Sequence, residues 1–149
     1  MSRKRQIKTK KAFPWLPVAL GALAVVVIIL AVSAFQPQAG GAAEALPREV
    51  SVDEAHDLQA QGAFMLDVRE LEEWEQFHMP GATLIPLGEL ESRLSEVPQE
   101  QAVVVVCRSG NRSASGRDIL LQAGYQNVTS MAGGMNQWAS AGYPTVSGP

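Results

Sequence analysis

Ala102-Val103-Val104-Val105-Val106-Cys107-Arg108-Ser109-Gly110-Asn111-Arg112-Ser113 is the stretch on which the fold turns. Four consecutive valines show no alternation of apolar and polar residues, so a strand over residues 102–107 must be covered on both faces, as in the middle of a parallel sheet. The polar, glycine-containing run that follows predicts a loop, and residues 113–123 predict a helix ended by Gly124. A thiol therefore stands at the carboxyl end of the most buried strand, the edge at which open α/β sheets bind their ligands.

The flanking segments alternate in kind. Ser51 and Glu54 have the spacing of a capping box, which predicts a helix to about Gln61. Residues 63–68 form a short apolar run bounded by Gly62 and predict a buried strand. Residues 71–77 predict a short helix stopped by Pro80-Gly81, residues 82–86 a short strand, and residues 88–94 a helical turn or two. A last strand falls at 127–131 and a last helix at 135–141. Strands alternating with helices predict an α/β domain on a parallel sheet.

Charge is divided sharply along the chain. Of twelve basic residues, six (Arg3, Lys4, Arg5, Lys8, Lys10 and Lys11) precede residue 12, and every acidic residue follows residue 43. Residues 36–149 carry six basic against fifteen acidic side chains, a net of −9. So acidic a domain repels nucleic acid, which excludes a DNA or RNA partner and leaves the basic tail to be explained otherwise.

Residues 12–35 contain no charge, and 18–32 are almost wholly aliphatic, enough as helix to cross a hydrocarbon core of about 30 Å. The expected organisation is a basic cytoplasmic tail over 1–13, a transmembrane helix or signal anchor over 14–35, a flexible linker over 36–47, and a domain over 48–146. The excess of basic residues before the span orients the N-terminus inward and the domain extracytoplasmic, at the cell membrane. Val32-Ser33-Ala34 also resembles a cleavage site, and cleavage after residue 34 would make the domain a secreted one.

The single cysteine, Cys107, cannot form a disulfide within the chain, so it is either a buried structural residue or a reactive thiol. Its neighbours favour reactivity. A loop between strand and helix can turn backbone N–H groups inward, and Gly110 allows the angles this needs. With Arg108 and Arg112 these donors are expected to lower the thiol below its free value of about 8.5 and to attract an anion.

Residues 107–113, C-R-S-G-N-R-S, resemble the active loop of the rhodanese family without a change. Further landmarks follow the family's order: Leu66-Asp67-Val68-Arg69-Glu70, His78-Met79-Pro80-Gly81-Ala82, and Gly133-Gly134 followed by Trp138 and Ala141-Gly142-Tyr143-Pro144. The resemblance covers about residues 48–146. Phe77 stands where a glycine is usual and Met79 where an isoleucine is usual, both outside the loop. The resemblance implies a five-stranded parallel sheet flanked by helices. It also implies a sulfurtransferase in which Cys107 takes sulfane sulfur from thiosulfate or a persulfide and passes it to cyanide, a thiol or a dithiol protein.

In that scheme Arg108, Ser109, Gly110, Asn111 and Arg112 bind the donor, no metal or organic cofactor takes part, and Asp67, Arg69, Glu70 and His78 are architectural. His56, on the first helix, is expected to lie at the surface away from every motif. Two other classes share the fold. A cysteine phosphatase or arsenate reductase would need C-x5-R, but residue 113 is Ser113. A binding or redox-sensing module without activity would have no need of the complete loop.

Overall fold

The computed structural model describes residues 45–149, and the expected transmembrane helix at 14–35 lies outside them. Among the described residues no helix is long and apolar enough to cross a membrane. Eleven elements follow in order: β1 (Glu49–Val50), α1 (Val52–Ala60), β2 (Phe64–Asp67), α2 (Leu71–Gln76), β3 (Thr83–Leu84), two 3-10 turns (Leu87–Ser92 and Leu94–Glu96), β4 (Val103–Val106), α3 (Asn111–Gln122), β5 (Val128–Met131) and α4 (Gly134–Ser140).

The five strands form one parallel sheet in the order β1-β5-β4-β2-β3. Strand β4 is central: Val105 pairs with Leu66 of β2 on one side and with Ser130 of β5 on the other. The run of valines is explained by what covers it. Val103, Val105 and Cys107 pack with Leu66, Val68, Leu90 and Leu120 on one face. Val104 and Val106 pack with Val52, Ala55, Met135 and Trp138 on the other. All four valines are 0–1% exposed, so the strand has no polar face and needs none.

Helix α1 starts as its capping box dictates. The Ser51 N–H donates to Glu54 Oε2 at 2.7 Å, and the Glu54 N–H donates to Ser51 Oγ at 3.3 Å. Strand β1 gives no sequence signal of its own, because two residues are too few to show a period. The helical turn expected at 88–94 is a pair of 3-10 turns. Helix α3 begins at Asn111, two residues before the expected start, because Gly110 turns the chain at φ +107° and stands as its N-cap. This places Asn111 and Arg112 in the first turn of the helix instead of in the loop.

The chain end stays on the domain past residue 146. Val146 bridges His78, the Gly148 N–H donates to Glu75 O at 3.0 Å, and Ser147 Oγ donates to Gln76 O at 2.8 Å.

Candidate active site

Strand β4 delivers Cys107 to the sheet edge, and the turn at Gly110 folds the next residues back over it. The Gly110 N–H donates to the Cys107 sulfur at 3.1 Å. Ser113 Oγ lies 3.6 Å from the same sulfur and donates to Gly110 O at 2.7 Å, which fastens the loop to the first turn of α3. Cys107 and Ser113 are both 0% exposed, whereas Arg108, Ser109 and Asn111 are exposed around them.

Helix α4 holds the loop from below. Its Met135 and Asn136 amides donate to the carbonyls of Cys107 (2.8 Å) and Arg108 (3.1 Å). The approach is close enough to require glycine at residue 134. There φ is +56°, and a Cβ would stand 2.4 Å from the Cys107 carbonyl oxygen. Packing against the loop is thus the physical content of the Gly133-Gly134 landmark.

Two opposing effects set the state of the thiol. Burial pushes Cys107 up, but hydrogen bonds from the Ser113 side chain and the amides of Ser113, Ser109 and Gly110 outweigh it and hold the thiol below its ordinary value. The leading downward causes are hydrogen bonds of the loop, where the sequence pointed to Arg108 and Arg112. Replacing Ser113 by alanine is therefore expected to raise the thiol's midpoint. The pH dependence of iodoacetamide alkylation tests this: the half-maximal rate moves to higher pH, because the thiolate then forms only at higher pH.

Arg112 does not face a free anion position. Its Nη1 and Nη2 donate to Glu73 Oε2 and Oε1 at 2.7 and 2.8 Å, a bidentate pair between α3 and α2. Arg108 has no ion-pair partner among the described residues and lines a cavity of about 90 Å³ with Arg69, Glu73, Gln76, Phe77 and Asn136. Of the residues expected at the site, Cys107, Ser109 and Gly110 gather round the sulfur, with the last two contributing backbone amides. Arg108 stands at the mouth, and the side chain of Asn111 is directed to solvent.

Asp67, Arg69 and His78 are architectural. The Asp67–Arg69 pair is buried, with Arg69 Nη2 2.6 Å from Asp67 Oδ2, and Arg69 also donates to the carbonyls of Glu73 and Phe77. His78 stacks on Trp74 with ring centroids 3.6 Å apart. Glu70 is the N-cap of α2. His56 is not isolated from the motifs as expected, since it stacks on Tyr143 at 4.3 Å. Ser113 and Glu73 went unremarked in the sequence. Ser113 could have been found as the hydroxyl three residues after the loop glycine, whereas Glu73 is separated from Arg112 by 39 residues and gives no local signal.

The profile of the rhodanese-like domain matches residues 51–141. Thiosulfate sulfurtransferase 16, chloroplastic, of Arabidopsis thaliana is 38% identical over 112 residues, covering 67% of this chain and 93% of that protein. A Bacillus subtilis protein, YrkF, is 36% identical over 95 residues, which cover 64% of this chain and 48% of that protein; the chain spans about half of that relative's length. The crystal structure of a rhodanese-related protein from Thermoplasma volcanium has a TM-score of 0.62 at 29% identity, covering 67% of this chain and 98% of that one. Its five-stranded parallel sheet, its cysteine loop and these likenesses agree: the chain belongs to the rhodanese-like domain family.

Proposed function

We propose that the domain is a sulfurtransferase that carries sulfane sulfur as a persulfide on Cys107. The observation that carries this reading is the sulfur itself, held at the end of β4 with the Gly110 N–H on it at 3.1 Å and its pKa lowered by the loop. A thiolate so placed is a nucleophile, and the donors that stabilise it suit a persulfide anion equally. The thiolate attacks the outer sulfur of thiosulfate or of a persulfide. The sulfur–sulfur bond of the donor breaks, and its electron pair leaves with sulfite or with the donor's thiolate. A thiol, a dithiol protein or cyanide then attacks the outer sulfur of the Cys107 persulfide and regenerates the thiolate. The scheme draws on no metal or organic cofactor.

A coupled assay of thiosulfate-to-cyanide transfer tests the reading at the level of turnover. Sulfite and thiocyanate should appear in equal amounts, with ping-pong kinetics. Intersecting double-reciprocal plots would count against a covalent intermediate.

The domain works outside the cytoplasm, tethered by residues 14–35. The basic tail, the uncharged stretch after it and the acidic domain support this placement. The full chain is expected to stay in the membrane pellet through alkaline extraction, and external protease should digest the domain while sparing the tail. A mature N-terminus near Phe35 would instead show a secreted domain.

A further inference from the structure

The charged groups around the mouth are paired to an unusual degree for a site that receives an anion. Arg69 is locked to Asp67 inside the domain, and Arg112 is locked to Glu73 through both guanidinium nitrogens that face it. The charge of Cys107 reaches Arg112, and so does that of Glu70, which stands exposed at the start of α2. Arg108 is left as the one cation without a carboxylate among the described residues, and Glu70 offsets it. The neighbourhood holds no excess of positive charge.

From this arrangement, and resting on the sulfurtransferase reading, we infer that Glu73 is a specificity-determining residue: by neutralising Arg112 it turns the Cys107 site away from the thiosulfate dianion and toward persulfides of thiols, which carry less charge. Thiosulfate brings two negative charges to a thiolate that already bears one, and only a free cation can offset that repulsion. A thiol persulfide can arrive neutral at its outer sulfur. In either case the Cys107 thiolate forms the new sulfur–sulfur bond and the donor's own breaks, with sulfite leaving in the first case and a thiolate in the second. Arg112 in turn holds the Glu73 carboxylate below the usual range by hydrogen bonding, so the pair persists well into acid.

The test is the rate of sulfur loading onto Cys107 of the full-length chain, followed by rapid quench and mass spectrometry, with thiosulfate and with cysteine persulfide at subsaturating concentration. The quantity read is the ratio of the two rates. Glu73→Gln frees Arg112 and is expected to raise the thiosulfate-to-persulfide ratio by about tenfold, the effect of one additional partly exposed charge. Arg112→Gln leaves Glu73 bare and lowers the ratio by a similar factor. The double variant Glu73→Gln/Arg112→Gln returns it to within about twofold of wild type, because a neutral pair is replaced by a neutral pair.

A ratio unchanged in Glu73→Gln, or a double variant as poor as Arg112→Gln alone, overturns the inference, since Arg112 would then bind the donor while still paired. The wild type provides a check that needs no variant: with a neutral mouth, thiosulfate loading changes little with salt, and a steep fall with salt overturns the inference. Failure of both donors to load sulfur on the wild type overturns the sulfurtransferase reading itself. Loading with the wrong ratios overturns only the role of Glu73.

Discussion

Replacing Cys107 by serine is expected to remove sulfur transfer completely while leaving the domain folded. Serine is nearly isosteric, and its oxygen can still accept the Gly110 N–H and stand near Ser113 Oγ, so the loop keeps its hydrogen bonds. The loss is chemical: a serine hydroxyl is a far poorer nucleophile at neutral pH and cannot form a persulfide. Because Cys107 is the only cysteine in the chain, no second thiol can substitute for it or resolve its intermediate, and an external acceptor is obligatory. Turnover should fall to the uncatalysed level. Burial of a hydroxyl among Val103, Val105 and Leu120 costs roughly 1–3 kcal/mol if imperfectly satisfied, so a modest drop in Tm is consistent with the account and global unfolding is not.

The largest effect on stability is expected from Arg69→Ala. Arg69 and Asp67 are each 1% exposed, and the pair bridges β2 to the end of α2 through the carbonyls of Glu73 and Phe77. Removing the arginine leaves the Asp67 carboxylate buried without a counter-charge and strips the two carbonyls of a donor. Breaking a buried pair from one side costs about 3–5 kcal/mol, against a total of about 5–15 kcal/mol for a domain. Chemical denaturation should show the loss as a lower midpoint with little change in slope. Arg93→Ala breaks two ion pairs, to Glu89 and Glu96, yet these are largely exposed and their loss should be far smaller. Equal losses in the two variants would show that burial of the Asp67–Arg69 pair is not what makes it matter.

The features that the sequence carries openly are those written in neighbouring residues. The four valines of β4 announce a strand buried on both faces, Ser51 and Glu54 mark a helix start at their own positions, and residues 107–113 bring the thiol, the glycine and the hydroxyl together within one turn. What was hidden depends on distance or on brevity. Strand β1 has two residues and exists only because β5 offers an edge to pair with. The Glu73–Arg112 pair joins two helices far apart in sequence, so Arg112 read as a donor to the anion when its guanidinium is already occupied. The support that α4 gives the loop runs through backbone amides, which no side-chain pattern reveals. Even the early start of α3 follows from a single left-handed angle at Gly110.

The central claim is that Cys107 carries sulfur covalently, and the mass of the purified chain after incubation with donor and removal of excess reagent tests it most directly. The account predicts a gain of one sulfur atom located by peptide mapping at Cys107, discharged by cyanide and absent from Cys107→Ser. A chain that turns over thiosulfate without ever gaining that sulfur, or a serine variant that gains it equally, would contradict the account.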